Sequence, residues 1–432
     1  MDARRGRKIA PTPEVLSAKP VKPRGIWPCI AYLVVDFGRP MSWVPFLNSV
    51  RPGMLVAIWG FAAILFMRNR PPIPKPVKYM LGLLALMALQ VPFAMNNRWA
   101  LWGLEDFLFL VVGGVIPLAM LASDLASVRT LLTAYVTLHV PMALFGLMHN
   151  GYGPSGWELD NNDLALALNA GLGVAVFLFL EASSMIRKLC LGAIMVLMLA
   201  GVVATNSRGG FVGLALLAMF VFVVSPRRRK LVVSACLVLC ILGVLLFAPP
   251  RFFERVNSIE TASAEGDTGF LRLYAWGMAW EMFLDHPIFG VGTNNYGIQA
   301  PKYENQEFAD QTGRYMWGRA AHSIYFTLLS EHGLIGTVLF GLIVFWTFSA
   351  RSKIRKRARA ATRDPAAVSA DFFATGLLAG VFGVLASGAF LSVLYYPVFW
   401  VLVGLMAALM RVAPPLAAPV PAAAVAAVRG AR

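Results

Sequence analysis

The 432-residue chain is short of charge, of acid most of all, and of cysteine. Charged residues make up 14% and hydrophobic residues 58%, where an ordinary soluble domain carries roughly 25% and about 45–50%. That balance excludes an ordinary soluble domain and a disordered chain alike. The four cysteines, Cys29, Cys190, Cys236 and Cys240, lie in apolar runs without metal-site or disulfide-framework spacing. They read as small buried hydrophobes. Walker A, H-E-x-x-H and Cys/His zinc patterns are missing. So is the Asp-x-Asp pair of metal-dependent sugar-nucleotide enzymes, and no metal ligand set or cofactor site is expected. Residues 1–25 are basic and broken by Pro11, Pro13, Pro20 and Pro23, unlike a cleavable signal peptide.

What the chain does have is long apolar runs and a surplus of Lys and Arg, 38 against 22 Asp and Glu, for a net charge of +16. Read alone, such a charge points to nucleic acid. Read beside a mean hydropathy of +0.66, it points to the basic cytoplasmic loops of a polytopic membrane protein. A spanning helix needs about 20 mostly apolar residues. Twelve candidates fall near 26–37, 52–67, 76–94, 104–122, 129–148, 163–180, 186–205, 208–224, 231–248, 322–349, 371–394 and 396–411. The first is the weakest, being short and interrupted by Pro28. With the 1–25 tail inside, 28 of the 38 basic residues fall on the cytoplasmic side and 10 outside. This bias fits both termini in the cytoplasm and an even number of spans. The blocks Arg227-Arg228-Arg229-Lys230 and Arg351 to Arg363 then act as topology anchors beside anionic membrane lipids, not as nucleic-acid contacts.

The expected fold is all-α and polytopic, with about twelve transmembrane helices and one large periplasmic loop containing short helices. Its parts are a basic tail (1–25), transmembrane helices (26–248), the loop (249–321), further transmembrane helices (322–411) and an Ala/Pro-rich tail (412–432). A long loop in a compact architecture is usually functional. In this one, Leu271, Ala275, Met278 and Met282 form an apolar stripe at helical spacing, with Arg272, Trp276 and Trp280 on a second line. Asp285-His286-Pro287 stops that helix, and Gly290-Val291-Gly292 makes a tight turn. The loop holds 6 basic and 9 acidic residues, so any anion site there depends on particular arginines.

Three basic positions stand out. Arg208 lies at the mouth of a tight hairpin, and arginine at membrane depth is costly unless it snorkels to headgroups or serves a function. Arg272 begins the loop helix, as a solvated residue or an anion ligand. His322 sits at the outer interface, and imidazole is a usable base near neutral pH. Tyr325, Phe326 and Leu329 share its face if His322 is the first helical residue. Glu331 falls on the opposite side, roughly 13 Å along the axis, which argues against a His322–Glu331 dyad. Asp160-Asn161-Asn162-Asp163 reads as a helix N-cap, with hydrogen bonding from Asp160 and Asn162 to a polar ligand as the other reading.

The order of these pieces resembles the bacterial O-antigen ligase superfamily. The resemblance is carried by Asn206-Ser207-Arg208-Gly209-Gly210, by Arg272 with Trp276, and by Asp285-His286-Pro287-Ile288-Phe289-Gly290-Val291-Gly292. Ala321-His322-Ser323-Ile324-Tyr325 and Glu331-His332-Gly333-Leu334-Ile335-Gly336 complete it. The superfamily includes O-antigen polymerases and exosortase-associated O-glycosylation ligases, and Gly153-Pro154 with Asp160-Asn161-Asn162-Asp163-Leu164-Ala165-Leu166 is similar to that last branch. The resemblance implies a metal-independent, inverting glycosyltransferase of lipopolysaccharide biosynthesis in the bacterial inner membrane, with its site facing the periplasm. The implied donor is a glycan on undecaprenyl pyrophosphate. The implied acceptor is lipid A–core saccharide in a ligase, or another lipid-linked repeat in a polymerase. By carry-over, Arg208 and Arg272 hold the pyrophosphate and His322 is the base. Tyr274 and Tyr325 are further candidates for substrate contact. A secondary transporter is the alternative of another class, but no repeat between halves supports it.

Overall fold

A computed structural model describes residues 25–154, 156–235, 268–305, 315–361 and 364–415, with isolated positions between. The described residues are helical, with no strand among them. In chain order the main helices are α1 (Trp27–Phe37), α2 (Pro52–Leu65), α3 (Lys75–Gln90), α4 (Asn97–Leu121), α5 (Leu125–Met148), α6 (Asn161–Glu181), α7 (Met185–Ala204) and α8 (Arg208–Val224). There follow α9 (Thr268–Asp285), α10 (Ile324–Ala360), α11 (Pro365–Gly388) and α12 (Pro397–Val412). Seven are long and apolar enough to cross a membrane: α3 continued to Phe93, α4, α5, α6, α7, α10 and α11. Four shorter apolar helices, α1, α2, α8 and α12, lie among them. The segment expected to span at 231–248, and with it Cys236 and Cys240, lies largely outside the described residues.

The core gathers around α6 and α12. Nearly every residue of α6 from Asp163 to Leu180 is buried, and α12 is buried from Pro397 to Leu409. α6 packs chiefly on α11, where Gly173 lets the two backbones approach. A Cβ there would lie 2.6 Å from the Gly380 nitrogen. Small residues permit such close helix crossings where lipid tails supply no driving force of their own.

One group of charged residues ties helix ends together. Arg129 at the start of α5 and Arg187 at the start of α7 both meet Glu181 at the end of α6, at 2.5 Å and 3.7 Å. Arg129 also reaches Ser369 on α11 at 3.2 Å. Arg411, near the end of α12, donates to the carbonyls of Met120 and Ala122. These helix ends share one face. The other face carries the starts of α6, α8 and α12 and the approach to α10.

Three expectations need correction. Cys190 is exposed, because the helix carrying it, α7, is only 22% buried over its spanning window and turns this face outward. His322 is not a helical residue: it precedes α10 with φ of 51°. The face it would share with Tyr325, Phe326 and Leu329 therefore does not exist. α10 is not one straight helix either; its path breaks at Gly333, where φ is 56° and ψ is −154°.

Replacing Gly173 with Leu should separate α6 from α11 at a cost of about 1–3 kcal/mol. The thermal unfolding midpoint of the purified protein in detergent should fall. An unchanged midpoint would contradict this packing.

Candidate active site

Two long helices begin side by side. Asp160 caps α6, accepting from the Asn162 backbone N–H at 2.8 Å and its side-chain amide at 2.7 Å. The Asn162 Oδ1 accepts from the Ser207 hydroxyl at 2.6 Å. Ser207 in turn caps α8, accepting from the Gly210 N–H at 3.0 Å. Asn161 donates to the Thr205 carbonyl at 3.0 Å. The Asp/Asn run is thus the cap the sequence suggested, and it also ties α6 to the start of α8. Arg208 is the first residue of α8 and half-buried. The adjacent N-termini add partial positive charge beside its guanidinium, a setting that favours an anion.

α9 brings the second arginine. Ala275, Met278 and Met282 bury the expected apolar stripe. The Trp276 indole stacks on Phe326, with ring centroids 5.2 Å apart and planes 14° off parallel. Its Nε1 donates to the Ala321 carbonyl at 3.0 Å. It also faces Phe390, 6.3 Å away, against which Gly209 packs. One indole therefore ties the helix carrying Arg272 to the residue before His322 and, through Phe390, to the residue after Arg208. Trp280, on the same line, is exposed.

His322 is exposed to solvent, yet its surroundings partly desolvate the charged ring. That desolvation, followed by the charges of Arg272 and Arg319, holds its pKa below the ordinary imidazole value. Asp160 pulls the other way, by more than Arg319 lowers it. Arg272, Asp160 and Arg319 are thus each within electrostatic reach of His322. An imidazole of lowered pKa is neutral at pH 7 and can accept a proton.

A second cluster sits where α10 breaks. The 287–296 turn docks on the backbone freed there. Val291 N–H reaches the Ser330 carbonyl at 2.8 Å, Gly292 N–H the Glu331 carbonyl at 3.0 Å, and Leu334 N–H the Pro287 carbonyl at 2.8 Å. Any side chain at Gly333 would need positive φ and would meet the Ile288 carbonyl oxygen at 2.6 Å. The buried Glu331 carboxylate accepts from the Asn294 N–H at 3.0 Å, the Tyr296 N–H at 3.1 Å and the Tyr395 hydroxyl. His332 bonds to Gln90 at 3.0 Å and Tyr395 at 2.7 Å, and Gln90 donates to the Glu331 carbonyl at 2.9 Å. No dyad joins His322 to Glu331. The sequence reading passed over Gln90, Asn294, Tyr296 and Tyr395. The signal that could have found them is a carboxylate inside an apolar run, a functional candidate by default.

The remaining candidates are placed as follows. The Tyr325 hydroxyl donates to the Leu385 carbonyl on α11 at 2.9 Å. The Tyr274 hydroxyl accepts from the Asn305 N–H. Burial raises the Tyr274 pKa. A cavity of about 380 Å³ lies behind the turn, lined by Leu89, Phe93, His286, Phe289 and Gln299 among others, but not by Arg208, Arg272 or His322. Among the described residues no group of three or more His, Cys, Asp or Glu converges as a metal site.

Because Arg272 lowers the His322 pKa, Arg272→Ala should raise it. Diethylpyrocarbonate modification of His322, followed by mass spectrometry across pH, should show a midpoint below 6.5 in the native chain and a higher one in the variant. A native midpoint at or above 6.5, or no rise in the variant, would contradict the proximity of the two groups.

No curated protein matches the chain in a sequence comparison. Residues 193–341, about a third of the chain, match the protein family described as O-Antigen ligase, whose members are membrane glycosyltransferase-like ligases and polymerases. The matched segment runs from α7 through the break in α10 and contains Arg208, Arg272 and His322.

Proposed function

We propose that the chain is an O-antigen ligase-like glycosyltransferase. It moves a glycan from undecaprenyl pyrophosphate to a lipid A–core saccharide at the periplasmic face of the bacterial inner membrane. The observation that carries this reading is the docking of Trp276, on the helix that carries Arg272, onto Ala321 next to His322, at the end of the bundle opposite the Arg129–Glu181–Arg187 cluster. The family match over the same residues supports it. In this reading the face bearing the basic cluster is cytoplasmic, about twelve helices cross the membrane, and 249–321 is the periplasmic loop.

The chemistry follows from the groups present. The acceptor hydroxyl gives its proton to neutral His322 as its oxygen attacks the anomeric carbon. The bond from that carbon to the pyrophosphate oxygen breaks, with one inversion, and undecaprenyl pyrophosphate leaves. Negative charge grows on the leaving group, and Arg208 and Arg272 offer fixed, forked donors to it, aided by the N-termini of α6 and α8. Asp160 and Asn162 are committed to the cap and the inter-helix bond, so they support Arg208 from behind. The same donor would serve an O-antigen polymerase or a protein O-glycosylation ligase. The resemblance of 153–166 to the exosortase-associated branch favours the latter as the second reading.

The test is complementation of a strain deleted for this chain. Arg208→Ala, Arg272→Ala and His322→Ala should each reduce glycan transfer at least about a hundredfold, with normal membrane levels. Arg→Lys at 208 or 272 should also impair it, because a point charge cannot make the bidentate contact. Full activity of His322→Ala would remove the base assignment. In the deletion strain itself, accumulated lipid-linked polymer marks a ligase and single lipid-linked repeats mark a polymerase.

A further inference from the structure

The bonds around the break in α10 continue toward the arginine on α9. Glu331 Oε1 accepts from the Tyr296 N–H at 3.1 Å. The Tyr296 side chain, 2% exposed, reaches across and donates from its hydroxyl to the Ala275 carbonyl at 2.9 Å. Ala275 lies three residues after Arg272, about 4.5 Å further along the helix on the same side. The neighbouring Trp276 fixes the same turn of α9 to Ala321, next to His322. The turn carrying Tyr296 is held in place by Asn96, whose backbone N–H donates to Asn295 Oδ1 at 2.8 Å, and by Tyr395 through Glu331.

We propose that Glu331 and Tyr296 are positioning residues: together they set the height of α9 against the start of α10 and so hold Arg272 beside His322. This rests on the reading of Arg272 as a pyrophosphate ligand. A carboxylate suits the task because it accepts several N–H and O–H donors at once without offering one. Its immersion among buried groups makes it costly to move. Glutamine at the same place would turn an amide N–H₂ toward a backbone N–H or the Tyr395 hydroxyl. Phenylalanine at 296 would keep the packing and release only the Ala275 carbonyl.

The experiment uses the purified full chain in proteoliposomes, with Tyr296→Phe and Glu331→Gln beside the native protein. Three quantities are read: affinity for undecaprenyl pyrophosphate, the acidic limb of the pH–rate profile for transfer, and the unfolding midpoint. Tyr296→Phe should unfold near the native midpoint and bind undecaprenyl pyrophosphate about five- to tenfold more weakly. Its acidic limb should move to higher pH, because the Arg272 charge recedes from His322 while Arg319 and Asp160, the other charges facing that ring, stay in place. Combined with Arg272→Ala, it should weaken binding no further than Arg272→Ala alone. Glu331→Gln should do the same, more strongly. Native affinity and an unmoved limb in folded Tyr296→Phe would overturn the proposal and leave the functional reading intact. So would additive losses in the double variant, or loss of the fold in both single variants. A folded native chain that transfers no glycan would overturn both.

Discussion

The arrangement around the start of α10 depends on one constraint: α10 is broken at Gly333, and the backbone groups freed there are satisfied by a loop rather than by the helix itself. Broken helix ends inside a bundle must find partners, since lipid offers none. Here the 287–296 turn supplies them, reaching Ser330, Glu331 and Leu334. Gln90 from α3 and Tyr395 from before α12 close around the same point. α3, α4, the loop turn, α10 and the approach to α12 are thereby fixed to one another. The loop that carries Arg272 is not draped over the membrane helices but hydrogen-bonded into them.

From that anchor the reactive end of the molecule is built by two stitches. One is Trp276, whose ring and Nε1 join α9 to the segment before His322. The other is the Asp160–Asn162–Ser207 chain, which sets the start of α8, and Arg208, beside the start of α6. The loop as a whole is more acidic than basic, so its overall field does not draw an anion. Positive potential rests on particular groups, two arginines and two helix ends; burial is the first cause of the lowered His322 pKa and the Arg272 charge adds to it. In the proposed function, a base that must be unprotonated and a leaving group that must be met by cations are both served by Arg272.

Much of this was legible in the sequence, and the failures are physical. Hydropathy located the apolar helices seen among the described residues, because lipid forces that pattern; the alternation of basic residues gave an expected orientation for them. The Asp160–Asp163 run announced the cap of α6, and the apolar stripe on α9 announced its buried side. The break in α10 was not legible as a break. Gly333 sits in a long apolar run, and glycine is tolerated inside helices that pack closely, so only the docking loop reveals its positive φ. For the same reason His322 was read as the first residue of a helix it merely precedes. Glu331 was weighed only as a partner for His322, along one helix. Its real partners, Asn294, Tyr296 and Tyr395, lie 35 to 64 residues away in sequence, and no local pattern encodes such contacts. Cys190 was expected inside because cysteine is usually buried, but the face of a helix that turns toward lipid has the same composition as a core.

The central claim is that this chain catalyses transfer from a lipid pyrophosphate using arginines and a histidine. The most direct measurement is reconstitution of the purified chain in proteoliposomes with undecaprenyl pyrophosphate-linked glycan and lipid A–core, following both products by mass spectrometry. The account predicts glycan joined to lipid A–core with inverted anomeric configuration, and release of one undecaprenyl pyrophosphate for each glycan transferred. Retained configuration, or a folded chain that leaves the donor intact in the presence of the acceptor, would contradict it.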